Sequence, residues 1–179
     1  MLKKILLGLA AVLVVFLIIV ALQPSTYRVT RARTMAASPA VIFAHVNELK
    51  KWAAWNPWEK IDPNMKLTYA GPESGAGASY SWVGNQDVGE GRMTITASRP
   101  DESVQLKLEF FKPMAGVSDA ELTFQAQGNQ TEVTWTMTGN NNFIGKAFCL
   151  FMNMDKMIGG QFEKGLTDLK AIAEAAPKN

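Results

Sequence analysis

The stretch Val104-Gln105-Leu106-Lys107-Leu108-Glu109-Phe110 alternates strictly between apolar and polar side chains. This period of two is typical of a β-strand with one buried face and one face in water. The pattern recurs in five further runs, at residues 65–69, 78–82, 93–97, 120–124 and 133–137. Turn-forming residues separate the runs, for example Ser74-Gly75-Ala76-Gly77 and Gln127-Gly128-Asn129. The short connections predict an antiparallel meander of six strands.

Helical patterns flank this meander on both sides. Residues 27–35 are extended in character, and Ser38-Pro39 then predicts the start of a short helix over residues 40–46. A second short helix or turn follows and ends at Asn56-Pro57. We expect these elements to precede the meander and to pack at one of its ends.

One long helix is predicted to close the chain, over residues 143–176. Its apolar residues recur at intervals of three, four or seven: Ile144, Phe148, Phe151, Ile158, Phe162, Leu166, Leu169 and Ile172. Such a stripe can cover the inner face of a curved sheet. Gly159-Gly160 interrupts the pattern, either as a kink or as a place where a strand or ligand comes close. The order predicts an α+β fold, a curved antiparallel sheet around one long C-terminal helix, with a cavity wherever the two layers part.

The N-terminus carries a different signal. After Met1-Leu2-Lys3-Lys4, residues 5–22 are all apolar or glycine, and no charge returns before Arg28. Eighteen helical residues extend about 27 Å, close to the hydrocarbon thickness of about 30 Å. We therefore predict a transmembrane signal anchor over residues 1–23, a linker over residues 24–26 and a folded domain over residues 27–179. A cleaved secretory signal is the alternative, although Ile19-Val20-Ala21 is a poor cleavage site because Ile19 is bulky.

The flanking charges bear on orientation. Lys3 and Lys4 favour a cytoplasmic N-terminus, whereas Arg28, Arg31 and Arg33 beyond the other end favour the opposite. Because a short N-terminal tail usually stays inside, we expect a single-pass protein with its domain outside the cytoplasm.

Composition excludes several classes of function. All sixteen acids and sixteen of the eighteen Lys and Arg residues lie beyond the apolar run, so the domain is nearly neutral. A neutral domain without a basic patch argues against nucleic acid as a partner. Cys149 and His45 are each the only residue of their type, which excludes an internal disulfide and a His/Cys zinc site. We predict no cofactor, no metal and no catalytic residue; His45 lacks an orienting partner fixed by spacing.

A group of local motifs carries a family resemblance. The most distinctive is W-x-x-W-x-P-W, Trp52-Ala53-Ala54-Trp55-Asn56-Pro57-Trp58. The others are Ser38-Pro39-Ala40-Val41-Ile42-Phe43, Asp62-Pro63, Gly71-Pro72, Gly75-Ala76-Gly77-Ala78-Ser79-Tyr80-Ser81-Trp82, Gly89-Glu90-Gly91, Thr131-Glu132-Val133-Thr134-Trp135, Met154-Asp155-Lys156-Met157-Ile158-Gly159 and Phe162-Glu163-Lys164-Gly165-Leu166. Over residues 27–175 the chain resembles the START/Bet v 1-like (SRPBCC) superfamily, most closely its bacterial polyketide cyclase or dehydrase-like members. The resemblance implies a helix-grip fold with a hydrophobic cavity between sheet and helix, and a place in a bacterial inner membrane.

Ten residues are candidates to line that cavity or bind a ligand. They are Trp55, Trp58, Trp82, Phe110, Phe124, Trp135, Met137, Phe148, Met152 and Asp155. The first two could form a rim at the mouth or simply fasten the short helices to the sheet. The next five share one face of the sheet by parity, whether as core or as lining. The last three lie on the closing helix, where Asp155 continues the apolar stripe and is expected to face inward, with a salt bridge as its role.

Three functions are compatible with these features. The leading hypothesis is a membrane-anchored binding module for an apolar small molecule or lipid. The alternative is an enzyme of cyclase, dehydratase or hydrolase type that uses the same cavity and needs an acid–base group inside it. A third possibility is a structural or signalling partner of another envelope protein, which predicts an exposed apolar patch outside the cavity.

Overall fold

Seven antiparallel strands form one curved sheet in the order β1-β7-β6-β5-β4-β3-β2. In the computed structural model, which describes residues 1–175, the strands are β1 (Thr26–Met35), β2 (Lys66–Ala70), β3 (Ser79–Val83), β4 (Glu90–Arg99), β5 (Ser103–Lys112), β6 (Gly116–Gln127) and β7 (Gln130–Asn140). Register shifts between Glu90 and Gly91 and between Ile95 and Ala97 interrupt the β4–β5 ladder, and such bulges bend a sheet. The predicted six-strand meander and the preceding extended segment together account for all seven strands.

Five α-helices and one 3-10 helix complete the described fold. They are α1 (Leu2–Leu22), α2 (Pro39–Val46), the 3-10 helix Leu49–Ala54, α3 (Pro57–Ile61), α4 (Phe143–Phe151) and α5 (Met154–Ala175). α5 packs across the inner face of the sheet, where Phe162, Leu166 and Leu169 are buried in the core. The architecture is the predicted helix-grip fold, an α+β arrangement preceded by one apolar N-terminal helix.

The prediction of one continuous closing helix is wrong. The helix breaks at Met152, which is extended (φ −121°, ψ 126°), and restarts behind Asn153. The Asn153 side chain accepts a hydrogen bond from the Lys156 N–H (3.0 Å), which is the usual way in which asparagine starts a helix. The predicted end at Ala176 lies outside the described residues.

α5 continues through Gly159 and Gly160 without a break. Gly159 is instead the site of a close approach, because the Arg31 guanidinium of β1 lies against it and would overlap any added Cβ atom. Of the two readings of Gly159-Gly160, the structure therefore supports a strand coming close.

The break also changes what the first part of the apolar stripe contacts. Ile144, Phe148 and Phe151 are exposed rather than packed on the sheet. α4 lies beside the end of α1, where the Phe16 and Phe151 ring centroids are 6.5 Å apart. Only the α5 part of the stripe covers the sheet as predicted.

α1 is the one helix among the described residues that is long and apolar enough to cross a membrane. Its residues 2–15 are exposed, and only its last two turns meet the rest of the molecule, where Val20 is fully buried. By length and composition the helix fits a membrane anchor or a signal sequence.

Candidate ligand-binding cavity

A cavity of about 330 Å³ lies between the inner face of the sheet and the first turns of α5. This volume is within the range of about 300–1,000 Å³ that is usual for small-molecule sites. Side chains of β3 to β7 form its floor, α5 contributes Met154, Met157 and Ile158, and the segment from Trp52 to Trp58 closes one side. Most of the surface these residues present is apolar.

Five of the ten predicted residues line this cavity: Trp58, Trp82, Phe110, Trp135 and Met137. Trp82 and Phe110 meet edge to face at 5.8 Å, and Trp135 stacks on Phe162 of α5 at 4.0 Å. Trp58 meets Trp135 edge to face at 6.1 Å. Interlocked rings of this kind make a rigid apolar wall.

The other five predicted residues lie elsewhere. Trp55 is fully buried behind the wall and packs on Trp52 at 4.3 Å, so it fastens the short helices to the sheet. Phe124 lies farther along the same face, against Phe43 of α2. Phe148 and Met152 are exposed and do not line the cavity.

Asp155, the last of these five residues, was expected to face inward but lies on the surface. Its exposed carboxylate receives two hydrogen bonds of 2.9 Å from the Arg31 guanidinium, which also bonds Glu163 at 2.7 Å. The hydrogen bonds from Arg31 lower the pKa of the Asp155 carboxyl. The cluster ties β1 to α5, which is the salt-bridge role considered for this residue.

The cavity opens at one end of the sheet. Its exposed lining residues are Asp87 in the β3–β4 loop, residues 112–117 at and beside the β5–β6 turn, Asn140 and Asn142 at and just after the end of β7, and Met157 of α5. The strand register places these segments together, because Thr26 pairs with Asn140 and Phe110 pairs with Gly116. α1 joins β1 at this same end, so the mouth lies beside the point where the apolar helix leaves the domain.

The mouth exists because α5 begins only partway along the sheet. Asp155, the second residue of α5, contacts Arg31 of β1. Near the end of α5, the Glu174 carboxylate accepts a hydrogen bond from the Ala36 N–H (2.6 Å). On this side of the sheet, α5 therefore leaves the end at residues 26–30 uncovered.

Four polar side chains in the lining were missed by sequence reasoning. The Tyr27 and Ser118 hydroxyls are 2.7 Å apart, and the Tyr80 hydroxyl accepts a hydrogen bond from Asn56 at 3.5 Å. Burial raises the pKa of both tyrosines, so both stay protonated. The alternating pattern of residues 78–82 placed Tyr80 on the same face as Trp82, which was the available signal.

Trp135 presents a further polar group. Within residues 1–175, its indole N–H is the one buried side-chain polar atom that finds no hydrogen-bond partner in the protein. A buried donor without a partner costs about 1–3 kcal/mol, which an acceptor on a bound molecule or an ordered water would relieve. In the same part of the chain no three His, Cys, Asp or Glu side chains come together as a metal site would require.

The curved sheet, the single long helix across it and the apolar cavity between them define a helix-grip protein of the Bet v 1-like class. A family model confirms this: the chain belongs to the family described as polyketide cyclase / dehydrase and lipid transport, which matches residues 26–174. The resemblance drawn from the sequence motifs is therefore correct.

Solved structures show the same fold at low sequence identity. A protein from Chromobacterium violaceum has a TM-score of 0.61 at 13% identity, over 86% of this chain and 99% of that one. The Aha1 dimer from Colwellia psychrerythraea has a TM-score of 0.59 at 15% identity, over 85% and 99% of the two chains. Ginseng major latex-like protein 151 from Panax ginseng has a TM-score of 0.58 at 13% identity, over 84% and 99%. A search of curated protein sequences gives no significant match.

Proposed function

We propose that this protein is a membrane-anchored binding module that holds an apolar small molecule or lipid in the cavity between sheet and α5. The observation that carries the proposal is the position of the mouth. An apolar cavity opens at the same end of the sheet from which the apolar helix α1 departs. An anchor at this end keeps the mouth within reach of a bilayer, where apolar ligands are concentrated.

The lining supports a ligand that is mostly apolar and carries one polar group. Aromatic and aliphatic side chains suit a hydrocarbon body, and each buried methylene contributes about 0.8 kcal/mol to its binding. Two hydrogen-bond donors are available for a polar group of the ligand: the Trp135 N–H, which has no partner in the protein, and the protonated Tyr80 hydroxyl. A fatty acid, a lipid acyl chain with its ester or an isoprenoid-like alcohol combines these features.

The same lining favours binding over acid–base catalysis. The raised pKa values of Tyr27 and Tyr80 keep both hydroxyls protonated, so they can donate hydrogen bonds but are not available as general bases near neutral pH. The charged lining residues Asp87 and Lys112 are exposed at the mouth. The cyclase or dehydratase alternative therefore has to rely on groups at the rim rather than on a buried acid–base pair.

The proposal is tested by extraction of the full chain, purified in detergent, followed by mass spectrometry of the organic phase. We expect one lipid class to be retained in near-stoichiometric amount through extensive detergent washing. Because α1 also carries annular lipid, the matched variant Ala120→Phe fills the cavity and leaves α1 unchanged, whereas Ala126→Phe adds the same side chain at an exposed position. Retention that is identical in Ala120→Phe and the unmodified chain rules out the cavity as the binding site.

A further inference from the structure

α4 is an amphipathic element with an unusual exposed surface. None of its nine residues is buried, and Ile144, Phe148 and Phe151 are exposed by 66%, 38% and 78%. Its only charged residue is Lys146. A helix in water normally turns such an apolar stripe toward a core.

Two contacts fix α4 alongside the last turns of α1. The Lys146 ammonium donates a hydrogen bond to the Ala21 carbonyl (3.3 Å), and the Phe151 ring lies against Phe16. The two helices therefore run side by side over roughly the segment from Phe16 to Ala21.

The length of α1 then determines the depth of α4. The apolar run at residues 5–22 is about 27 Å long, so a hydrocarbon layer of about 30 Å requires all of it. Phe16 lies six residues, about 9 Å, before Leu22. Phe151 beside it must then lie below the membrane surface, at the depth of about 5–10 Å typical of interfacial helices.

The β5–β6 turn and the strand residues beside it (residues 111–117) supply a second apolar segment at the same end of the sheet. Phe111, Met114 and Val117 are each more than 40% exposed there. Residues 111–117 contain one lysine and no acid, as does α4. Aromatic and aliphatic side chains with a few lysines and no carboxylates are typical of segments that lie in a bilayer interface.

We propose that α4 and the β5–β6 turn dip into the interface of the bilayer that α1 spans, so that the cavity mouth between them opens toward lipid rather than water. This inference rests on the membrane anchoring contained in the proposed function. Its partner is the lipid surface; a protein partner on the same patch is the competing outcome.

The test uses the full chain with Cys149→Ser, which removes the only native cysteine. Single cysteines are introduced as Phe151→Cys in α4, Asn129→Cys in the β6–β7 turn at the far end of the sheet, and Val12→Cys in the middle of α1. Each variant carries an environment-sensitive fluorophore and is placed in nanodiscs of phosphatidylethanolamine and phosphatidylglycerol. Quenching by nitroxide-labelled lipid reports lipid contact, and quenching by iodide reports contact with water.

We expect the label at position 151 to be quenched by shallow lipid nitroxides and protected from iodide. The label at position 129 should show the reverse, and the label at position 12 should respond best to deep nitroxides. Lipid contact at position 12 together with iodide access at position 151 overturns the inference and leaves the anchoring intact. Iodide access at both positions overturns the inference and the anchoring together. If the label at position 151 is quenched neither by iodide nor by lipid nitroxides, it lies against protein, and this result also overturns the inference.

Discussion

Ala120 is the position at which the cavity can be tested most directly. It lies on β6 between Leu106 of β5 and Met137 of β7, and all three residues line the cavity. Ala120 is only 6% exposed to solvent, and its small side chain leaves open space beneath the sheet. The variant Ala120→Phe places a ring in that space. Ala173 of α5 is equally buried but lies away from the cavity, so Ala173→Phe is the matched control.

The two substitutions should change the free energy of unfolding in opposite directions. Fully burying a phenylalanine contributes about 1.5–3 kcal/mol where there is room, whereas forcing extra atoms into a packed core costs about 1–3 kcal/mol. The variants should thus differ by at least about 2 kcal/mol in the free energy of unfolding. For a chain of this size each kcal/mol shifts the midpoint by about 2–4 °C, so the midpoints should differ by about 4 °C or more.

The assay is thermal unfolding of the full chain in detergent micelles, followed by near-ultraviolet circular dichroism. Lipid must first be removed, because a bound ligand stabilises the unmodified chain and would hide the gain from the new ring. We expect Ala120→Phe to unfold at or above the midpoint of the unmodified chain and Ala173→Phe to unfold well below it. Equal destabilisation by both variants would refute an open cavity at Ala120.

Three further predictions concern the wall, the sheet and pH. Trp135→Phe removes the unpaired N–H and should weaken the binding of a long-chain alcohol about twofold to tenfold, because one net hydrogen bond contributes about 0.5–1.5 kcal/mol. An equal loss of affinity for the matching hydrocarbon contradicts this role of the N–H. Gly91→Ala should lower the free energy of unfolding by about 1–3 kcal/mol, because a Cβ atom at this position overlaps the Trp82 ring. Gly116→Ala is the control, since a Cβ atom there meets open space. Equal midpoints of the two variants in chemical denaturation contradict this packing. Burial lowers the pKa of His45, so the stability it contributes is present above its ordinary pKa of about 6.5 and is lost as the pH falls through the lower folded value. His45→Gln should therefore reduce the acid-induced loss of stability below pH of about 6.5, and an unchanged pH profile contradicts the shift.

Alternation along the strands predicted which face each side chain takes, but not how far along the sheet the cavity reaches. Trp135 and Phe124 share the inner face, yet Phe124 lies beyond the cavity, where Phe43 of α2 covers it. Parity carries no information on which neighbour packs above a given position, since that depends on contacts distant in sequence. Tyr80 was missed for the same reason: the pattern placed it inward, and only the fold brings Asn56 to its hydroxyl.

The closing helix shows the opposite limit, in which a local interaction overrides a longer pattern. The helical spacing of apolar residues continues past Met152 unchanged, so periodicity predicts one helix. Asn153 ends that continuity because its side chain competes as a cap for the N–H of Lys156. Phe148 was assigned to the cavity as part of the helix segment over residues 148–157, but it lies before the break and is exposed.

That break has a geometric consequence for the proposed function. The eleven residues from Phe143 to Asn153 would extend about 16 Å if they continued α5 as one straight helix. The uncovered part of β1, from Thr26 to Arg31, is about 17 Å long, so a continuous helix has the length needed to close the mouth. Because the chain turns at Met152 instead, α5 alone grips the sheet and α4 lies along α1. The break at Met152 and Asn153 thus leaves the cavity open and places an apolar helix beside its mouth, next to the end of α1.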